Sequence, residues 1–343
     1  MIHIYTDQNL LTAANRPHVF PLLFDLWYNK APDPKISKHY QLTTPIEEAD
    51  ILIYPIAINR AITQFGVTTL KRQLQQWKTH QKPIWTYTEG DYGISLNDEQ
   101  IWQFRFGGFD SLLTANTQIM PAFIPDPCSI QKTRFFELEK AKMPQIGFVG
   151  FSSTKLHVWS KALAATYYGN LKRLLGKDPT DFQGFYPAAY KRKQVLTTLE
   201  QSPLIETSFI HRDQYRAGAI APAQRQKTTA QFFENIFQNP YTLCMRGAGN
   251  FSVRFYEVLA AGRIPVLIKT DVRLPLPEQI NWEAHCVMID TPATTARELY
   301  QFHQAISDTD FRAIQTRNRQ LWQTHLTRES YFCTLHNALK SSL

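Results

Sequence analysis

The stretch Tyr241–Ile268, YTLCMRGAGNFSVRFYEVLAAGRIPVLI, leaves this chain little choice of local structure. Tyr241–Met245 is apolar and rich in strand formers, and Gly247-Ala248-Gly249 breaks the run. Ser252 can cap a helix that Gly262 can end. Ile264–Ile268 then resumes a short buried-strand pattern. A strand, glycine-rich loop, helix and strand in that order frees backbone N–H groups at the positive end of a helix dipole, with Arg246 and Arg254 beside them. An anion such as a diphosphate suits that position.

Turning each residue of the helix through roughly 100° tests its sidedness. Phe255, Val258, Leu259 and Gly262 share one arc, and Arg254, Glu257 and Ala261 share another that points away from the sheet. Two readings of Arg254 and Glu257 stand side by side. At i, i+3 they can form a surface ion pair worth a few tenths of a kcal/mol. Equally, forked arginine donors suit a phosphate, and a carboxylate near a helix start suits ribose hydroxyls.

The rest of the chain alternates in the same style. Ile2–Thr6 reads as a strand, His18–Asn29 as an amphipathic helix, Asp50–Pro55 as a buried strand, Ala61–Thr79 as a helix, Pro83–Thr88 as a strand and Phe109–Thr114 as a short strand. The proline-rich segment 121–127 and the charged segment 134–142 interrupt the pattern and mark a linker. Alternation resumes at Ile146–Phe151, with helices near 154–175, 188–201 and 224–237, a strand at 205–210, a strand at 285–290 and a mostly helical stretch from Ala293 to Leu339. The fold class is therefore α/β, with helices covering mainly parallel sheets. A chain of 343 residues exceeds the size at which one core stops growing, so two domains are expected. Their bounds are read as 1–135 and 136–320, with 321–343 as a C-terminal helix that can pack back on the first domain.

The resemblance of the 241–268 segment is specific. It resembles the signature of the exostosin-type glycosyltransferases: Arg246-Gly247, then Ser252-Val253-Arg254-Phe255-Tyr256-Glu257, Ala261-Gly262 and Ile264-Pro265-Val266. Leu274-Pro275 and Ile280-Asn281-Trp282 continue it. Ala49-Asp50-Ile51, Ile146–Phe151 and Arg212-Asp213-Gln214-Tyr215-Arg216 sit where similar proteins have related segments. The resemblance runs from about residue 205 to 290, so it concerns the donor half. It implies a GT-B fold, two Rossmann-like domains facing a cleft, and transfer of a sugar from a UDP- or GDP-linked donor to a glycan or glycolipid. The donor-binding residues implied are Arg212, Arg246, Gly247, Gly249, Asn250, Ser252, Arg254 and Glu257. Arg246, Arg254 and Arg212 would face the phosphates and Glu257 the nucleoside. By their place after the 205–210 strand, Arg212 and Arg216 can neutralise a leaving diphosphate, and equally they read as surface arginines at a helix start.

An inverting transfer needs a base from a first-domain loop to take the acceptor proton. Glu89 and Asp91, in the glycine-flanked loop after the Pro83–Thr88 strand, have that placement, and Asp7 is a second candidate; acidic residues beside glycine are also ordinary turn residues. Asp308-Thr309-Asp310 is the one Asp-x-Asp, but no strand precedes it, so it reads as a helix start with acidic first-turn residues. No metal and no other cofactor is expected. Cys128, Cys244, Cys286 and Cys333 are far apart and form no CxxC pair, so neither a zinc site nor a disulfide framework is indicated. Net charge is +8, but the basic residues are dispersed and the densest cluster, Lys191-Arg192-Lys193, is short, which argues against a nucleic-acid binder. Anionic donors or a peripheral contact with an anionic lipid surface explain the balance. The chain opens on a strand, MIHIYTD, with no leader pattern, and the expectation is a soluble, bacterial-type protein of the cytoplasm or the inner membrane face. A nucleotide-sugar isomerase or hydrolase of the same fold, or a binding protein without catalysis, fits the same donor half.

Overall fold

A computed structural model describes residues 1–29, 33–219 and 221–340, without the side chains of Tyr215, Arg216, Leu339 and Lys340. The first half contains β1 (Ile2–Tyr5), β2 (Tyr40–Leu42), β3 (Ile51–Ile53), helices α1 (Ile58–Phe65) and α2 (Val67–Lys78), then β4 (Ile84–Tyr87), β5 (Ile101–Arg105) and β6 (Thr117–Ile119). These strands form one parallel sheet in the order β2-β1-β3-β4-β5-β6. The second half contains β7 (Gln145–Phe151), α3 (Leu156–Leu174), α4 (Ala188–Glu200), β8 (Glu206–Arg212), α5 (Pro222–Gln238), β9 (Tyr241–Cys244), α6 (Val253–Ala260), β10 (Ile264–Ile268) and β11 (Val287–Ile289). Its sheet is also parallel, in the order β11-β10-β9-β7-β8. Helices α7 (Thr295–Ala305), α8 (Asp308–Leu321) and α9 (Arg328–Lys340) complete the chain. The architecture is α/β, two Rossmann-like halves facing a cleft.

Central strands β3, β4, β9 and β10 are buried along their whole length, as helices on both faces of a parallel sheet require. Helix α6 ends where Gly262 takes φ +67° and the Arg263 N–H reaches back to the Val258 carbonyl at 2.9 Å, the six-to-one bond of a glycine stop. Arg263 is fully buried beneath it, donating to Phe237, Phe136 and Gln315.

Three local expectations are corrected. The helix over 18–29 is broken: Val19 bridges Ile56, Pro21 starts a single turn, and a π-turn spans Phe24–Tyr28. The helix over 61–79 is two helices, because Gly66 stands between them at φ +82° with open space around it. Residues 109–114 are no strand. Asp110–Leu112 is a 3₁₀ turn, and the strands of that region are the flanking β5 and β6.

The last helix does not stay with the second sheet. The Tyr331 hydroxyl donates to the Ile119 carbonyl at 3.1 Å, the Tyr40 hydroxyl to the Phe332 carbonyl at 2.8 Å, and the Phe332 ring packs on Phe20, Phe104 and Phe123. Arg328 grips the buried Asp25 carboxylate through two hydrogen bonds of 2.7 and 2.6 Å. On the other side of the molecule, Arg273 of the second half reaches Asp110 and the Thr114 carbonyl, and Ser111 donates to Asp271 at 2.6 Å.

Candidate functional site

A cleft of about 1270 Å³ opens beyond the carboxyl ends of β7, β8 and β9. That is where open parallel sheets present their loops, because successive crossovers leave a crevice there. Gly247, Ala248, Gly249, Ser252, Arg254 and Glu257 line its second-half wall, joined by Arg192, Arg212 and Arg246. Asp91 and Tyr92 line it from the first half.

The wall is built around an open helix end. Ser252 holds the N-cap position with extended backbone (φ −136°, ψ 114°), yet its side chain makes no capping hydrogen bond and the first turn of α6 carries no acidic residue. The Phe255 N–H donates to the Ser252 carbonyl at 3.2 Å, so the N–H groups of Val253 and Arg254, with the helix dipole, are left for a ligand.

Around this end stand four guanidinium groups. Arg254 donates to the Val149 carbonyl at 2.6 Å and to Leu243 at 3.4 Å, and lies over the Phe148 ring at 4.2 Å. Gly150 leaves it room, since a Cβ there would lie 3.0 Å from the Arg254 Nη2. Arg192 donates to the carbonyls of Phe151 (2.7 Å) and Arg246 (3.2 Å). Arg246 donates to the Ala248 carbonyl at 2.9 Å and is sandwiched by Tyr186 and Phe109 at 4.7 and 5.0 Å. Arg212 donates to the Thr228 carbonyl at 2.7 Å. Every acceptor is a main-chain carbonyl, which orients a cation without neutralising it. The ion pairs of the described residues include none of the four.

Electrostatics records the strain of that arrangement. Burial, and then the neighbouring charge of Arg254, pushes Arg192 down to about 10. Burial lowers Arg246 and Arg212 as well, and lowers Arg254, where the Glu257 carboxylate opposes the shift and Arg212 adds to it. The Nε atoms of Arg192, Arg246 and Arg254 are buried without a hydrogen-bond partner. Clustered, desolvated cations favour a multiply charged anion, which would relieve the mutual repulsion.

The structure thus brings Arg212, Arg246, Gly247, Gly249, Ser252, Arg254 and Glu257 to one cleft. Asn250 is placed elsewhere. Its side-chain amide donates to the carbonyls of Gly108, Thr270 and Asp271 at 2.8–2.9 Å and its oxygen accepts from the Thr270 hydroxyl, so it ties the two halves together behind the loop. The side chains of Arg216 and Tyr215 lie outside those described. Asp91 is exposed on the cleft, and its carbonyl backs directly on Gly249. Glu89, two residues earlier, is not among the lining residues. Its carboxylate is bonded to the His18 Nδ1 at 2.9 Å, and its backbone is clasped by Asn59. Asp7 accepts from the Asn9 N–H and caps a 3₁₀ turn.

Arg192 was missed from the sequence. It was visible only as the middle of Lys191-Arg192-Lys193, and the signal that could have found it is its place in the first turns of the helix facing the β7 loop. Asp308 and Asp310 start α8 beneath the Ser307 cap. Among the described residues no cluster of His, Cys, Asp or Glu could hold a metal ion.

No family model matches the chain. It is similar to a probable glucuronosyltransferase of Oryza sativa subsp. japonica, 27% identical over 115 residues, covering 34% of this chain and 22% of the relative. It is also similar to a probable beta-1,4-xylosyltransferase of Arabidopsis thaliana, 28% identical over 124 residues, covering 36% of this chain and 25% of the relative. The matched region therefore spans about a quarter of the length of these relatives. Among solved structures, TarM aligns with 84% of this chain and 54% of its own at 8% identity and TM-score 0.35. WaaG, a glycosyltransferase involved in lipopolysaccharide biosynthesis, aligns with 87% and 77% at 8% identity and TM-score 0.34. Overlaps this shallow add nothing to the fold as described.

Proposed function

We propose that the chain is an exostosin-like glycosyltransferase that takes a sugar from a UDP- or GDP-linked donor and passes it to a hydroxyl of a glycan or glycolipid. The observation that carries this reading is the set of four arginines, each hydrogen-bonded to main-chain carbonyls and in no ion pair among the described residues, around an uncapped helix end. A nucleoside diphosphate supplies the missing negative charge, and the similarity to plant glucuronosyl- and xylosyltransferases supports a sugar donor.

In this reading the diphosphate lies on the N–H groups of Gly247–Ser252, between Arg246, Arg254 and Arg192. As the bond from sugar to phosphate lengthens, charge grows on the leaving phosphate, and preorganised guanidinium groups stabilise it without a metal ion. Glu257, one turn along α6, accepts from the ribose hydroxyls. Asp91, across the cleft, takes the proton of the acceptor hydroxyl as it attacks the anomeric carbon from the opposite side, which inverts the anomeric centre. Glu89 is the less apt base because His18 already holds its carboxylate.

Calorimetric titration with UDP and GDP tests the site. Arg254→Ala removes charge-assisted bonds worth about 1.5–3 kcal/mol, so affinity for the bound nucleotide should fall roughly tenfold or more. Glu257→Ala should weaken it less. Unchanged affinity in both variants overturns the site.

A further inference from the structure

Helix α3 inverts the usual arrangement of a surface helix. It runs from Leu156 to Leu174 and buries none of its residues. At roughly 100° per residue, Leu156, Tyr167, Leu171 and Leu174 fall within one narrow arc, with Leu175 and Tyr168 at its edge. Their exposures run from 51% at Leu171 to 77% at Leu156. Phe182, in the following loop, is 57% exposed. A globular helix normally turns its polar arc to water, and a contiguous exposed apolar surface marks a docking face.

Charge decides what docks there. The helix contains no Asp or Glu, Lys161 and Lys172 border the apolar arc, and Lys155 and Lys177 flank its two ends. Lys172 lies over the Tyr168 ring at 4.4 Å. The carboxylates next in sequence, Asp178 and Asp181, are committed to Arg173 and Arg105. A second copy packing through the same face would set lysines against lysines, since a two-fold contact pairs a patch with itself. An anionic lipid surface complements both features, with leucines in the acyl boundary, tyrosines at the headgroups and lysines on the phosphates. The opposite face of α3, through Val158, Ala162, Ala165, Thr166 and Gly169, lines the donor cleft, whose rim reaches round to Tyr168 and Lys172.

We infer that the outer face of α3 seats this protein on an anionic phospholipid bilayer. The cleft then opens beside the membrane, and, resting on the reading above, the acceptor is a glycan carried on a lipid.

Flotation with vesicles of phosphatidylcholine, with and without phosphatidylglycerol, tests this in the absence of any donor. The protein should float only with the anionic vesicles. Lys161→Gln should weaken that binding about fivefold, one lysine's share at such a surface. Leu171→Glu with Leu174→Glu should weaken it more than tenfold while lowering the thermal midpoint only slightly, because both side chains are more than half exposed. Failure to float, or equal flotation of the double variant, overturns the inference. So does a wild-type dimer in light scattering that the double variant converts to monomer. Nucleotide binding by calorimetry separates the two readings: UDP or GDP bound without flotation refutes the membrane face alone. Flotation without nucleotide binding upholds that face and removes the lipid-linked acceptor.

Discussion

Two glycines of one loop should respond oppositely to the same methyl group. A Cβ on Gly247 meets nothing within 4 Å, whereas one on Gly249 would lie 2.6 Å from the Phe251 ring and closer still to the Asp91 carbonyl oxygen. Since Cβ atoms keep at least 3.0 Å from such neighbours, the ring must retreat by some 0.4 Å and the Asp91 main chain by more. Neither glycine is in the left-handed region, so the gain from restricting the unfolded chain, about 0.4–1 kcal/mol, is common to both and cancels in the difference. What remains is the overpacking cost at Gly249, about 1–3 kcal/mol. Urea denaturation at neutral pH should therefore place Gly249→Ala below Gly247→Ala by that amount, with Gly247→Ala at or slightly above the wild type. Calorimetry should reverse part of the order relative to wild type: the stable Gly247→Ala carries a methyl into the cleft and should bind UDP or GDP more weakly. Two variants within about 0.5 kcal/mol of each other would refute the idea that the donor loop is pressed against the Asp91 loop.

Two further substitutions test the ties between chain segments. Burial alone would raise the Asp126 carboxyl, but hydrogen bonds from Arg319 and the Cys128 N–H hold it below its ordinary value of 3.8. Its contribution is thus present above that value and lost as pH falls through the lowered one. Asp126→Asn should cost about 2–4 kcal/mol at pH 7, with the gap to wild type closing as the pH is taken below the ordinary carboxyl value of 3.8 in urea titrations. Arg328→Ala strips the partner from Asp25, which is 1% exposed. It should cost about 3–5 kcal/mol at neutral pH in chemical denaturation, and Asp25→Asn in the same background should recover part of that loss.

The donor half was legible because each of its elements is announced locally. Tyr241–Cys244 and Ile264–Ile268 are continuous apolar runs, glycines bound the helix between them, and that helix has one apolar arc. Strands β5 and β6 were not legible. Ile101–Arg105 mixes Gln103 and Arg105 into its buried positions, where they bond the Leu96 and Gly107 main chain, so the run looks like a surface segment. Phe109, taken for strand, instead bridges Val272 of the other half, a contact no local pattern encodes. The same limit hid Arg192, which meets Arg254 and Arg246 only after three strands are laid side by side. It also hid the difference between Glu89 and Asp91: their shared loop was readable, but the histidine that claims one of them comes from seventy-one positions earlier in the chain.

The return of α9 to the first sheet makes that half discontinuous along the sequence. Tyr331 and Phe332 complete a core begun by Phe20, Tyr40 and Phe104, so residues 1–135 expressed alone would present an unfilled hydrophobic socket. A nascent chain cannot finish its first half until α9 has been synthesised. The two halves therefore mature together instead of in order of appearance, and a separately supplied peptide spanning 328–340 becomes a natural complement for the truncated fragment.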